Sequence, residues 1–181
     1  MEPSGVNTMH IMYGYNSSNE ATKDYQLHCH NFYEIYYFLE GDVDYLVEGK
    51  HYKPIPHSML LLAPNVFHGV RINNENTYRR ITLHFYPELL SLERRAMLLS
   101  VFPSPIQDER EIYYKGITEI NFYPFLEALM ECVKLPVKLR DPLVPIYVEA
   151  LLSRIMVYSD NKGEVVDTEG SSETVGPIIA Y

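Results

Sequence analysis

From Met9 to Phe85 the chain repeats one short phrase, a run of about four to eight residues rich in Tyr, Val, Ile, Leu and Phe closed by turn residues, at intervals of about ten. That rhythm confines the chain to a β-sandwich or barrel. Strands are predicted near 9–15, 25–29, 33–40, 43–48, 51–54, 58–63, 67–72 and 78–86. Eight strands are enough to close a barrel. Gly41-Asp42 sits between two strong runs and predicts a hairpin, because such pairs accept positive φ. Gly49-Lys50 turns the chain again, and residues 54–58 and 73–76 read as loops.

After Phe85 the apolar period changes from two to about 3.6. A first helix is expected at Pro87-Glu88-Leu89-Leu90, where Pro suits a first turn and the acid suits the helix dipole. A second covers 121–133 with Phe125, Leu126, Leu129 and Met130 on one face, and a third covers 141–158 with Asp141 as N-cap and Pro142 as first residue. On the third helix Leu143, Ile146, Tyr147, Ala150, Leu151 and Ile155 form a broad apolar stripe. Either the barrel and second helix cover it, or a second subunit does; Leu152, Met156 and Val157 widen it toward an interface.

The expected organisation is therefore a barrel with an N-terminal arm over 1–86, helices over 87–159, a polar linker over 160–174, and over 175–181 the start of a helix whose domain has been cut away.

A formal net charge of −9 repels a phosphate backbone, so this segment alone should not grip DNA. Cys29 and Cys132 lie far apart and form no CxxC pair, which argues against a disulfide framework. No apolar stretch approaches the roughly 20 residues that span a bilayer, and Met1–Tyr15 lacks the pattern of a signal peptide. A cytoplasmic protein with no membrane partner is expected.

The chemistry concentrates in His28-Cys29-His30-Asn31-Phe32-Tyr33-Glu34, followed by six residues and Gly41, a pattern HxHx3Ex6G. Even offsets along a strand put His28, His30 and Glu34 on one face and Cys29 on the other. Downstream, Ala63-Pro64-Asn65-Val66-Phe67-His68 supplies a further imidazole after a turn in which Asn65 tolerates a left-handed conformation. Three His and one Glu suit a divalent transition metal such as Zn, Ni, Fe, Mn or Cu. The same four residues equally suit a metal-free effector pocket, or a hydrogen-bonded remnant of one. His10, His51 and His57 fall outside the cluster. The sequence carries no Ser/His/Asp arrangement and no phosphate loop.

The stretch from His28 to Gly41 resembles the first cupin motif, and Ala63–His68 resembles the second, PxGxxH. Ala63 replaces its first Pro, Asn65 its Gly and Ile72 its final Asn. More widely, His30–Leu90, above all Tyr33–Phe38 and Tyr78–Phe85, resembles the sensor domain of bacterial AraC-type regulators, loosely over the whole chain. That resemblance implies a mainly β fold: a cupin barrel of the double-stranded β-helix, jelly-roll-like kind, followed by two or three helices. It also implies a barrel that binds a small effector, often a sugar, helices that form a homodimer, and DNA binding only through an absent C-terminal domain. In the arabinose-responsive member the pocket is lined from the HxH strand and the last barrel strand, which here carries Arg80, Thr82 and His84 at alternate positions.

The ligand-binding candidates are thus His28, His30, Glu34, Tyr36, His68, Arg80, Thr82 and His84, with His28, His30, Glu34 and His68 as candidate metal ligands. Arg80 can grip a carboxylate or paired hydroxyls, and Tyr36 can stack on a sugar face. The arm, Met1–Asn19, either folds over the barrel mouth or frays. The expected function is effector sensing without catalysis. A stand-alone metal-dependent cupin enzyme, an isomerase or dioxygenase, and an oligomerisation scaffold with a dead barrel stand as alternatives.

Overall fold

The structure is a computed structural model that describes residues 4–8, 10–103, 112–115 and 122–169, the last stretch beyond 159 as backbone only. Its strands are β1 (Ser4–Asn7), β2 (Ile11–Ser18), β3 (Tyr33–Glu40), β4 (Val43–Val47), β5 (Lys50–Tyr52), β6 (Met59–Leu62), β7 (His68–Ile72), β8 (Tyr78–Phe85) and β9 (Tyr113–Tyr114). They form two sheets, a six-stranded one in the order β1-β2-β8-β3-β6-β9 and a three-stranded one in the order β5-β4-β7. Every pairing is antiparallel.

Alternation along the strands divides the apolar residues between two cores. Tyr13, Tyr15, Ile35, Tyr37, Ile81 and Leu83 point outward from the larger sheet and pack under the helices. Tyr36, Phe38, Leu60, Leu62 and Tyr78 point the other way and meet Val43, Tyr45, Val47 and Ile72 of the smaller sheet. The first core holds the helical annex. The second fills part of the barrel.

Three helices follow: α1 (Leu92–Leu99), introduced by a 3₁₀ turn at Pro87–Leu89, α2 (Tyr123–Val133) and α3 (Val137–Glu169). Glu149 of α3 clamps the start of α1 by accepting a hydrogen bond from the Ser91 backbone N–H at 2.8 Å and from Arg94 Nη2 at 2.7 Å. Tyr13 ties β2 to α2 by donating its hydroxyl to the Leu126 carbonyl at 2.7 Å.

Several expectations are corrected. Gly41-Asp42 makes no hairpin: β3 pairs with β6 and β8, while β4 pairs with β5 and β7, so this turn hands the chain from one sheet to the other. The tight hairpin is one turn later, where Glu48 (φ 45°) and Gly49 (φ 81°) both take positive φ between β4 and β5. Residues 25–29 are not a regular strand. They run beside β7 with a single bridge, His28 to His68, plus the Gln26 N–H to Val70 carbonyl bond. A close approach makes this path: a Cβ at Gly69 would fall 2.6 Å from the Gln26 carbonyl oxygen.

Pro87 opens a 3₁₀ turn rather than the first α-helix, which starts at Leu92. The third helix begins at Val137, with the Leu139 and Arg140 N–H groups bonded to the Pro136 carbonyl, so Asp141 and Pro142 lie inside it instead of capping it. It continues to Glu169, where the polar composition predicts a linker from residue 160. Residues 175–181 lie outside the described residues. The arm contributes two strands, β1 and β2, paired from Ser4↔Tyr15 to Asn7↔Met12.

The apolar stripe on α3 also divides. Val144, Val148, Leu151, Leu152 and Ile155 are buried in the core, whereas Leu139 (55% exposed), Ile146 (60%) and Val157 (46%) face outward. Together with exposed Ala150 and with Leu143 and Ser153 at the margin of the core, these positions follow steps of four and three residues.

Candidate functional site

The larger sheet sets Glu34, Tyr36, Arg80, Thr82 and His84 on one face, while His68 comes from β7 of the smaller sheet and His28 and His30 from the segment before β3. In register across β3 and β8, Glu34 faces His84 and Tyr36 faces Thr82; across β8 and β2, His84 faces Met12, Thr82 faces Gly14 and Arg80 faces Asn16. Burial alternates strictly along β2 from Ile11 to Asn16, with Ile11, Tyr13 and Tyr15 buried and Met12, Gly14 and Asn16 only partly covered. The same split on β8 leaves Arg80, Thr82 and His84 partly covered between buried Ile81, Leu83 and Phe85. This inner face is therefore sealed at the β3–β6 end by aromatic and aliphatic groups and open at the β8–β2 end.

Where β3 meets β8, three imidazoles surround one carboxylate. Glu34 Oε2 lies 2.9 Å from His30 Nε2, 3.2 Å from His68 Nε2 and 3.4 Å from His84 Nε2. His68 is fully buried, and its ring is 4.4 Å from that of His28 and 4.9 Å from that of His30. His30 lies flat on Phe32, 3.8 Å between ring centres. Asn65, at φ 65°, takes the left-handed conformation expected of it and bonds its N–H to the His30 carbonyl, so the turn before β7 delivers His68 to the cluster.

The backbone fixes which nitrogen faces inward. Nδ1 of His28, His30 and His68 contacts the carbonyl oxygens of Gln26, Phe32 and Val66 at 3.0, 3.1 and 2.8 Å. A carbonyl only accepts, so each Nδ1 carries the hydrogen and each neutral ring turns an Nε2 lone pair inward. Lone pairs and a carboxylate crowded together repel unless a cation, a proton or a metal ion, stands among them. His68 Nε2 is buried and has no partner of hydrogen-bonding geometry, although the Glu34 oxygen is near.

The donor spacing fits a metal. Two ligands each about 2.1 Å from an ion lie about 3.0 Å apart at 90° and about 3.4 Å apart at 109°, close to the three distances from Glu34 to its imidazoles, 2.9, 3.2 and 3.4 Å. Two overlapping triads have ligand atoms within 4.8 Å of one another, His28–His30–His68 and His30–Glu34–His84. Of the four residues expected as ligands, His28, His30 and His68 form the first triad and Glu34 joins His30 in the second, where His84 is the added member; His28 is exposed, on residues 25–29 outside the regular strands. Alternation from Arg80 and Thr82 marks His84 as facing inward; nothing in the sequence marks it as a metal ligand.

The electrostatics follow the same geometry. Burial works to raise the Glu34 carboxyl, but the imidazoles of His30, His68 and His84 set against it overcome that and hold the group well below its usual range. Burial likewise depresses His68, and the Glu34 carboxylate reverses that, leaving it above its ordinary value. Burial pushes the hydroxyls of Tyr36 and Tyr45 well up and that of Tyr78 up to about 12. Tyr36 and Tyr78 share a 3.0 Å hydroxyl contact.

Of the other candidates, Tyr36 is buried and packs at a tilt against the Tyr45 ring rather than presenting a free face. Thr82 accepts a 3.1 Å hydrogen bond from Asn16 Nδ2. Tyr45, coplanar with His68, and Asn16 are inward residues that sequence reading passed over, although alternation on β4 and β2 would have marked them. His10, set outside the cluster, lines a cavity of about 220 Å³ that reaches His84 and Phe32 beneath the β1–β2 turn. A second cavity of about 330 Å³ lies outside the barrel, between that turn and Arg140 and Val144 of α3.

A barrel of two antiparallel sheets, half filled and half polar, with helices packed on its larger sheet, defines a ligand-binding β domain with a helical annex. The profile of the AraC-like ligand binding domain matches residues 15–155, and the chain belongs to that family. Its fold is a mainly β cupin barrel followed by helices. No curated protein matches the chain. Similar solved structures include a cupin protein (BF4112) from Bacteroides fragilis, at 13% identity and TM-score 0.39 over 47% of this chain and 76% of that one. The Cnp3 cupin domain of Schizosaccharomyces pombe is similar at 8% identity and TM-score 0.43, over 52% and 64%. A salicylate 1,2-dioxygenase from Pseudaminobacter salicylatoxidans is similar at 16% identity and TM-score 0.40, over 46% and 27%.

Proposed function

We propose that this chain is the effector-sensing and dimerisation portion of a cytoplasmic, AraC-type DNA-binding transcription regulator, and that its barrel responds to a sugar or a similar small metabolite. One observation carries the reading: the outer face of the larger sheet is fully buried under helices, while Asn16, Arg80, Thr82, His84 and Glu34 line a partly open inner face. Such a face recognises a polyhydroxylated solute through donors and acceptors already in place. The family match over 15–155 supports the same reading.

The ligand-binding residues are His28, His30, Glu34, His68, Arg80, Thr82 and His84, with Tyr36 as a buried wall. A divalent transition metal held by His30, His68, His84 and Glu34, with His28 at the rim, would supply a Lewis-acidic contact to a ligand oxygen. The chain's own residues orient that contact: the carbonyls of Phe32 and Val66 fix the rings of His30 and His68. The outward stripe of α3, with its steps of four and three residues, supports pairing with a second copy of this helix. DNA contact falls to another domain, since the −9 charge of this chain repels phosphates. No helix among the described residues is long and apolar enough to cross a membrane.

A melting screen of sugars and related metabolites tests the reading. A ligand at about 100 times its Kd adds about 2.7 kcal/mol of stability, with no chemical change in the ligand. The histidine–glutamate cluster favours a second reading, a metal-dependent cupin enzyme. Metal near one equivalent per chain in protein purified without chelator, together with turnover of a screened compound, would establish that one instead.

A further inference from the structure

The polar end of the inner face holds a guanidinium that no acid neutralises. Arg80 lies opposite Asn16 on β2 and Phe38 on β3, with its Cζ 4.5 Å from the centre of the Tyr78 ring. Its Nη1 is buried and has no hydrogen-bond partner. Arg71, Arg79, Arg94 and Arg140 each meet a carboxylate, from Asp44, Glu40, Glu149 and Asp141 respectively. Among the described residues Arg80 forms no ion pair; Arg95 likewise has none, but donates its Nη2 to the Leu90 carbonyl. The acid on this face, Glu34, lies farther along the same strand pair, opposite His84, and is ringed by its three imidazoles.

A guanidinium drawn out of water, stacked on an aromatic ring and left with an unused donor is half of a contact. Its planar fork matches a carboxylate, and the neighbouring groups are suited to hydroxyls: Thr82 and Asn16 lie beside it on the same face. Gly14 lies opposite Thr82, and a Cβ there would come within 3.1 Å of the Asn16 amide nitrogen that donates to the Thr82 hydroxyl.

We propose that the effector carries a carboxylate gripped by Arg80, making it a small hydroxylated monoanionic acid of the sugar-acid class rather than a neutral sugar. The proposal rests on the sensor reading above. One guanidinium matches one negative charge. Arg79, its neighbour, alternates to the other side and is paired with Glu40, so a dianionic phosphate would bring a second charge that nothing here neutralises, in a chain of net charge −9.

Calorimetric titration of the full chain with matched ligands tests this: D-glucose against D-glucuronate and D-glucose 6-phosphate, D-galactose against D-galacturonate and D-galactose 6-phosphate, and L-arabinose against L-arabinonate. The expected result is that at least one acid binds about tenfold or more tightly than its neutral and phosphorylated counterparts, the size of a charge-assisted pair. Arg80→Gln should erase that preference and Arg80→Lys should keep part of it. Melting of both variants without ligand separates a lost contact from a lost fold, and Arg80→Gln should melt near the parent, since the contact with the Tyr78 ring that it gives up is offset by no longer holding a charge with an unpaired buried Nη1.

A neutral sugar binding as tightly as its acid would overturn the proposal while leaving the sensor reading intact, as would a preference for the phosphate. An acid preference that survives Arg80→Gln in folded protein would overturn it too. Absence of binding by every compound, and by a wider set of neutral and acidic metabolites, would bring down both readings.

Discussion

Replacing Glu34 by Gln in metal-free protein removes the charge at the centre of the imidazole cluster while keeping the side chain's volume, so no cavity term enters. The side chains of His68 and Glu34 are 0% and 5% exposed, which leaves the pair unscreened. Removing one partner of a buried pair costs about 3–5 kcal/mol. Gln retains an oxygen that can accept one of the contacts at 2.9–3.4 Å, which places the expected loss near the lower figure, about 3 kcal/mol.

The loss should depend on pH. Glu34, held well below its ordinary 4.5, contributes stability that is present above about pH 4.5 and disappears as the pH falls toward its folded value. His68, held above its ordinary 6.5, contributes stability that is complete below 6.5 and disappears as the pH rises through its folded value. The pair is therefore strongest between the two, and Glu34→Gln should cost most near pH 5.5 and markedly less near pH 9. Urea and thermal unfolding in EDTA at those two pH values measure it, the thermal midpoint expected to drop by about 6–12 °C at the lower one. A cost equal at both pH values, or none at either, would refute the charge-pair account.

Leu151→Ala, at a fully buried position between α3 and the larger sheet, should cost about 3–5 kcal/mol in chemical denaturation. Ile146→Glu should leave monomer stability almost unchanged but abolish self-association in sedimentation experiments, because Ile146 is 60% exposed and lies in the stripe of steps of four and three. Glu149→Ala should cost about 1 kcal/mol, mostly from the unmade bond to the Ser91 N–H, since Arg94 is half exposed and screened. Gly69→Ala should cost about 1–3 kcal/mol and speed amide exchange at Gln26 and His28, by pushing residues 25–28 off β7.

Much of this fold is legible in the sequence because short-range alternation dictates it. β3 keeps its expected bounds, and Met59–Leu62, His68–Ile72 and Tyr78–Phe85 fall within a residue or two of theirs. Pairing partners are another matter. Alternation tells which side of a strand is apolar and says nothing of which strand lies beside it, so β3 and β4 read as a hairpin although they belong to different sheets. Residues 25–29 alternate like a strand, yet their contacts with β7 are a single bridge and scattered bonds, decided by Gly69 at long range.

The start of α3 misleads for a chemical reason. Pro142 would ordinarily open a helix, but Pro142 and Pro145 here remove N–H groups whose carbonyl partners, on Lys138 and Asp141, belong to exposed residues where water can satisfy them. For the site, the spacing of His28, His30 and Glu34 identifies the cluster, and His84 and Arg80 follow from alternation on β8. The unmatched charge of Arg80 needs the fold, because the acids along the sequence do not reveal which arginine each one meets.

The central claim is that the polar inner face of the barrel is a receptor for a small solute. Nitrogen-15 NMR of the histidine rings and the Arg80 guanidinium, recorded while titrating the metabolite that most raises the melting temperature, addresses it directly. The Nε2 signals of His30, His68 and His84 and the Arg80 Nε signal should move together and saturate at one ligand per chain, with the ligand recovered unchanged. Shifts confined to the outer helices with these four signals still, or a ligand converted to product, would contradict it.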